Sequence, residues 1–152
     1  MTDYRIEREI LIEAPVDVVW RTITEPDQIT QWFADRVELQ AVPGGRGTFA
    51  FDNPGGTLAA PLVVETVDAP TRFSFRWSHP EGEDPAPGNS MLVEFSLTSE
   101  GDERTRLRVV ESGLELLGWD DDDKDRYAEE HRAGWATFLG RLAVLFSRRT
   151  AG

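Results

Sequence analysis

Between Asp120 and Ser147, the residues Tyr127, His131, Trp135, Phe138, Leu142 and Leu145 recur at helical spacing, which predicts one long helix with a single apolar stripe. At about 1.5 Å per residue such a helix runs roughly 40 Å, long enough to cross a whole small sheet. Propensity alone does not hold a helix of that length in water, so its stripe must be buried against something. The partner is upstream. Read with period two, Phe73, Phe75 and Trp77 load one face of a strand, and Met91, Val93, Phe95 and Leu97 load one face of another. A sheet with an apolar face needs a cover, and the terminal helix is the obvious one. A curved sheet around one helix readily encloses a pocket.

The rest of the chain fits that plan. Tyr4, Ile6, Ile10 and Ile12 alternate with Arg5, Glu7, Glu9 and Glu13 in a first strand with one wet face, its apolar row interrupted by Arg8. Ala14-Pro15 ends it, and Pro15 suits the first position of a helix, where its missing N–H costs nothing. Val16, Val19, Trp20 and Ile23 continue at helical spacing. A second short helix is expected from Glu25-Pro26-Asp27 to Gln31-Trp32-Phe33. Strands follow at 37–41, 47–51, 57–67, 72–78, 91–98 and 105–111, separated by Gly, Pro and Asn turns. Pro61 demands an edge position or a bulge in its strand. With no repeat, linker or change of composition, residues 1–152 read as a single α+β domain in the order β-α-α-β-β-β-β-β-β-α.

Composition narrows the function. The net charge of −12 repels phosphate backbones and anionic lipid, so neither nucleic acid nor a membrane is an expected partner. No apolar run is long enough to span a bilayer, and the N-terminus enters a strand without a signal-peptide pattern, so a cytoplasmic location is expected. The chain has no cysteine, which excludes disulfides and thiolate chemistry. No cofactor is expected.

An ordered set of fragments carries a likeness to a known family: Ile12-Glu13-Ala14-Pro15-Val16-Asp17-Val18-Val19-Trp20, Gln31-Trp32-Phe33, Pro43-Gly44-Gly45, Glu111-Ser112-Gly113 and Gly134-Trp135. In this order and spacing they closely resemble the small proteins related to the C-terminal domain of the activator of the heat-shock chaperone ATPase. These belong to the START-like, birch-pollen-allergen (SRPBCC) superfamily with the helix-grip fold. The resemblance covers roughly residues 5 to 147. It implies a seven-stranded antiparallel sheet bent around the C-terminal helix, two short helices after the first strand, and an internal cavity for apolar ligands. Its name also implies stress response and a chaperone partner. Eukaryotic activators engage the chaperone through an N-terminal domain, however, and nothing precedes the first strand here. A chaperone partner is thus an alternative rather than the main expectation. Exposed strand edges and the family's habits permit a homodimer.

The candidate cavity walls are Trp32, Phe33, Phe49, Phe51, Phe75, Trp77 and Trp135. Aromatic rings bury large rigid areas and offer a π-face to a flat ligand, although each of them would also fill a core. Glu111 shares a strand face with Leu107 and Val109, where a carboxylate is costly unless paired or protonated. That is how a ligand anchor or general acid is made; the commoner arrangement, and the expectation, is a rim residue bonding turn amides near Ser112-Gly113 or pairing an arginine such as Arg76. His131 is an acid–base candidate on the helical stripe, or a satisfied polar residue near its wet end. His79, next to Pro80, suits a loop role. The run Asp120–Asp123 lacks calcium-loop spacing and complements a helix start, so no metal is expected. The resulting expectation is a protein that binds a small apolar or aromatic molecule between sheet and helix. The alternatives are a cyclase, dehydratase or hydrolase using Glu111 and His131, and a co-chaperone or transcription-regulator partner.

Overall fold

The alternating segments pair into one antiparallel sheet of seven strands in the order β1-β7-β6-β5-β4-β3-β2, curved around the terminal helix. A computed structural model gives this arrangement and describes residues 4–79 and 82–151, with side chains to 147. The strands are β1 (Ile6–Ile12), β2 (Arg36–Leu39), β3 (Arg46–Asn53), β4 (Gly56–Asp68), β5 (Arg72–Trp77), β6 (Met91–Ser99) and β7 (Thr105–Ser112). The helices are α1 (Val16–Thr24), α2 (Pro26–Ile29) and α3 (Asp121–Ala151), with a 3₁₀ turn at Leu114–Leu116. The helix-grip expectation holds in element order and in topology.

Local chemistry explains the boundaries. Pro15 takes the N-cap of α1, one residue earlier than expected, and its carbonyl accepts from Val18 and Val19 at 3.0 and 3.1 Å. Pro26 opens α2 at its first position, where the lost donor is one of the orphans of a helix start. The indole of Trp32 donates to the Thr22 carbonyl at 3.0 Å and fastens the segment after α2 to α1. At the β2–β3 turn an added Cβ on Gly45 would lie 2.0 Å from the Gln40 carbonyl oxygen, so only glycine fits. That close turn is tied to β4 by Gly44 N–H to Val64 O at 2.8 Å and Val64 N–H to Gly45 O at 2.7 Å.

Two details set up the site. β4 pairs with β5 only over Val63–Asp68, whereas its first half, Gly56–Leu62, pairs with β3 alone. Pro61 therefore lies where the strand has a single neighbour, as its missing donor requires; the bulge falls further along, between Val64 and Thr66. The β3–β4 hairpin thus overhangs the end of β5.

The buried stripe of α3 is Ala128, Trp135, Leu139, Leu142 and Phe146. Tyr127, Phe138 and Leu145, assigned to the centre of the stripe by spacing, flank it as half-buried residues. Several phases fit the same apolar spacing, and the curvature of the sheet selects one of them. The core joins this stripe to the inner faces of β1, β5, β6 and β7 and to Val19 and Ile23 of α1. On the outer face Arg106 and Arg108 bridge to Glu9 and Glu7 across β1 and β7.

Candidate functional site

The site begins with a buried charge. Glu111 lies near the end of β7, flanked in register by Ile6 of β1 and Val93 of β6, and is 0% exposed. It is not at the rim, and Arg76 pairs with Glu65 at 2.9 Å instead. Four donors surround its carboxylate. Trp77 Nε1 at 2.8 Å and the Tyr127 hydroxyl at 2.6 Å donate to Oε2. His131 Nδ1 at 2.8 Å and Trp135 Nε1 at 2.9 Å meet Oε1. The rim expectation fails because Glu111 sits amid apolar strand neighbours while every donor it needs arrives from β5 and one face of α3. A carboxylate accepting from several donors tolerates burial that an unpaired one does not.

Tyr127, His131 and Trp135 stand four residues apart, so successive turns of α3 present their polar atoms to the same carboxylate. Burial pushes the Glu111 carboxyl up. The bond and the charge of His131, joined by the bonds from Tyr127 and Trp135, outweigh it and hold the carboxyl below its ordinary 4.5. Burial, followed by the charge of Glu111 and the bond to it, pushes the Tyr127 phenol up, so it stays a protonated donor. Its one hydrogen serves Glu111. The 3.0 Å bond between Tyr127 and Ser78 therefore has the Ser78 hydroxyl as donor. Ser78 follows β5 with φ of 60°, a left-handed conformation that costs a non-glycine residue about 1–2 kcal/mol.

Beside this cluster a cleft of about 500 Å³ opens between α3, the overhanging β3–β4 hairpin and the end of β5. Its apolar walls are Phe33, Phe51, Trp77, Trp135 and Phe138 with Leu58–Pro61 of β4; its polar groups are Asn53, Ser78, His79, Glu130 and His131. Phe33 stacks on Trp135 with centroids 5.5 Å apart and planes 7° from parallel, and meets Phe138 at 4.7 Å. His131 stacks on Tyr127 at 3.7 Å and 16°. Its side chain is 26% exposed.

The sequence candidates thus divide. Phe33, Phe51, Trp77, His131 and Trp135 line the cleft, and Glu111 lies buried behind it. Trp32, Phe49 and Phe75 surround a void of only about 10 Å³ in the interior, with Phe33 as the partition between the two spaces. A void of that size holds at most one water. The aromatic interior beneath α1 and α2 is filled, and the aromatic-walled cleft opens beyond Phe33. Sequence reasoning did not assign Ser78, Tyr127, Gly134, Phe138 or the hairpin residues to a site. Tyr127 was legible, since three donor-bearing rings at intervals of four should have been matched to a carboxylate on an apolar strand face. The hairpin residues had no such signal, because the overhang arises from where β5 stops. Among the described residues no group of three or more His, Asp or Glu is arranged to hold a metal ion, and no helix is long and apolar enough to cross a membrane.

Comparison with known proteins agrees with this fold. The model of the family described as Activator of Hsp90 ATPase homolog 1-like protein matches residues 13–147. The solved structure of MLL2253 from Mesorhizobium loti is 23% identical, with a TM-score of 0.75 over 95% of this chain and 97% of that one. DynU16, from the dynemicin biosynthetic locus, is 27% identical with a TM-score of 0.73 over 93% of this chain, which spans 46% of DynU16. The Aha1 dimer of Colwellia psychrerythraea is 19% identical with a TM-score of 0.73, covering 96% of each chain. No curated protein matches the sequence.

Proposed function

Because this chain belongs to the family of Activator of Hsp90 ATPase homolog 1-like proteins, we propose that it uses the fold to bind a small apolar or aromatic molecule in the cleft beside Trp77 and Trp135. The observation that carries this reading is a hollow of about 500 Å³ walled by aromatic rings and provided with few polar groups. Titration with the fluorescent probe ANS, together with a thermal-shift screen of metabolites, tests it. Gly134→Leu fills the cleft from the α3 side, starting from a Cβ that meets only Phe138 Cε2, at 3.9 Å; its urea unfolding, measured beside that of the native chain, separates loss of binding from loss of fold. Saturable binding by the native protein and at least tenfold weaker binding by the variant is the expected outcome. No saturable binding, or binding that Gly134→Leu leaves intact, overturns it.

The 2.8 Å contact between Glu111 and His131 favours a second reading, an acid–base enzyme of the cyclase, dehydratase or hydrolase kind. It requires that a bound molecule be converted on incubation, with a change of mass equal to lost or gained water, or a new isomer on chromatography. A ligand recovered unchanged removes it.

A further inference from the structure

We infer that the outer face of α3 is an interface with a second copy of this chain, the two helices lying antiparallel so that Arg141 of each meets Glu130 of the other.

The helix is divided by charge. From Asp120 to Glu130 the sequence carries seven acids beside Lys124 and Arg126; from His131 to Gly152 it carries four arginines and no acid. Acids at a helix start and bases at its end complement the helix dipole, but that effect is confined to the first and last turns. Glu129 lies eight residues past Asp121 and Arg141 ten residues before Ala151, each about two turns or more from its end. The dipole therefore does not account for them. Glu129, Glu130 and Arg141 are exposed, and none of them forms an ion pair among the described residues. Arg141 rests its guanidinium over the Phe138 ring, 5.4 Å from the centroid.

Between the charged halves the exposed face is small and bare. Ala133, Ala136, Thr137 and Gly140 lie outward, followed by Val144 at 50% exposure. A glycine inside a helix weakens it, and nothing in this chain needs one at 140, where an added Cβ meets no atom within 4 Å. The close approach of a second helix does need one. Beside Gly140 runs an open groove of about 550 Å³, bounded by Gln31, Arg141, Val144 and Leu145, which would receive that helix's side chains.

Complementarity selects the occupant. A chain of net charge −12 repels its own copies except where positive charge is concentrated, which is the second half of α3. Ala136 stands midway between Asp121 and Ala151. Two helices laid flush and antiparallel about it bring Arg141 level with position 131 of the other, about 1.5 Å along the axis from Glu130 of the partner subunit. Eleven residues are close to three full turns, so Glu130 and Arg141 share one flank of the face, and a two-fold axis sets them against each other. Each acidic half then lies along a basic half, and the arrangement closes on itself as a dimer. Glu130 is also one of the cleft's polar groups, so each copy lays an arginine beside the other's cleft.

Sedimentation equilibrium of the native chain, from micromolar to millimolar concentration, should show monomer and dimer in exchange. Arg141→Glu and Glu130→Arg each set like charges together twice in a dimer, and each should weaken association at least about tenfold. Mixed one to one, the two variants regain both attractions, and a heterodimer of native affinity is expected. Gly140→Gln should also weaken association at least about tenfold, while its urea unfolding is no easier than that of the native chain. Should a charge reversal unfold the chain, a covalent readout replaces it. The sequence has no cysteine, so Thr137→Cys places a single thiol near the two-fold axis, where oxidation should yield a linked dimer. A native chain that stays monomeric throughout overturns the inference. So does a dimer that both reversals leave intact, a mixture of folded variants that fails to associate, or a Thr137→Cys chain that oxidises only to monomer. None of these readouts depends on a ligand in the cleft.

Discussion

The two ends of the aromatic interior use the same residue types and come out differently. At one end Trp32, Phe49, Phe73, Phe75 and Phe95 interlock around about 10 Å³ of space. At the other Phe33, Trp77, Trp135 and Phe138 wall a cleft of about 500 Å³. The first end is roofed by α1 and α2, fastened by the Trp32 to Thr22 bond. The second is left open because β5 stops at Trp77 while β4 runs on to Gly56 with only β3 beside it. A concentration of aromatic rings therefore does not by itself mark a binding site. What distinguishes the open end is a buried charge, and the polar atoms that charge orients.

The contrast can be broken by truncating one ring at each end. Phe75→Ala should cost about 3–5 kcal/mol, because a fully buried ring leaves a cavity its neighbours cannot collapse into. Phe51→Ala, on the half-buried cleft wall, should cost about 1 kcal/mol. Urea unfolding of both variants measures the difference, and equal losses would mean that the open end is packed like the filled one. Next in size is Glu111→Gln, which puts an amide donor where four side chains converge on the carboxylate. A loss of about 2–3 kcal/mol is expected, and less than 1 kcal/mol would show that the four donors find other partners.

A smaller effect sharpens the same point through pH. Since Glu111 is held below its ordinary 4.5 in the folded protein, its contribution is fully present above that pH and is lost as the pH falls through the folded value. The stability gap between the native chain and Glu111→Gln should stay constant from neutral pH down to about 5 and narrow below it. A gap that widens on acidification contradicts the ionised carboxylate. Smallest is Gly134→Ala, at a mid-helix position where an added Cβ meets nothing closer than 3.9 Å. The change should stabilise by about 1 kcal/mol through helix propensity while trimming the cleft, read as a raised melting temperature with weaker ANS binding.

Much of the fold was legible because periodicity reports which face of an element meets water. The alternations of β5 and β6 and the stripe of α3 are enough to require a sheet wrapped on a helix. The phase of that stripe was less legible: Leu139 and Phe146 replace Phe138 and Leu145 at its centre, a rotation of about one residue that spacing alone leaves open. The site was legible in half. Glu111 and His131 each stood out, one as a carboxylate on an apolar face and the other as an imidazole on an apolar stripe. Their pairing entered only through the enzyme alternative, and the direct bond between them was not legible, because it joins β7 to a helix twenty residues away.

The amino-acid sequence alone determined the class of fold, the order of its elements and the kinds of side chain that line its interior, since local periodicity and turn chemistry carry that information. Only the tertiary structure decided which rings pack solid and which stand at an opening, and that Glu111 is a buried hub rather than a rim residue. Those outcomes depend on where neighbouring strands end and on how four donors from separate elements converge on one carboxylate, and neither is written in any single stretch of chain.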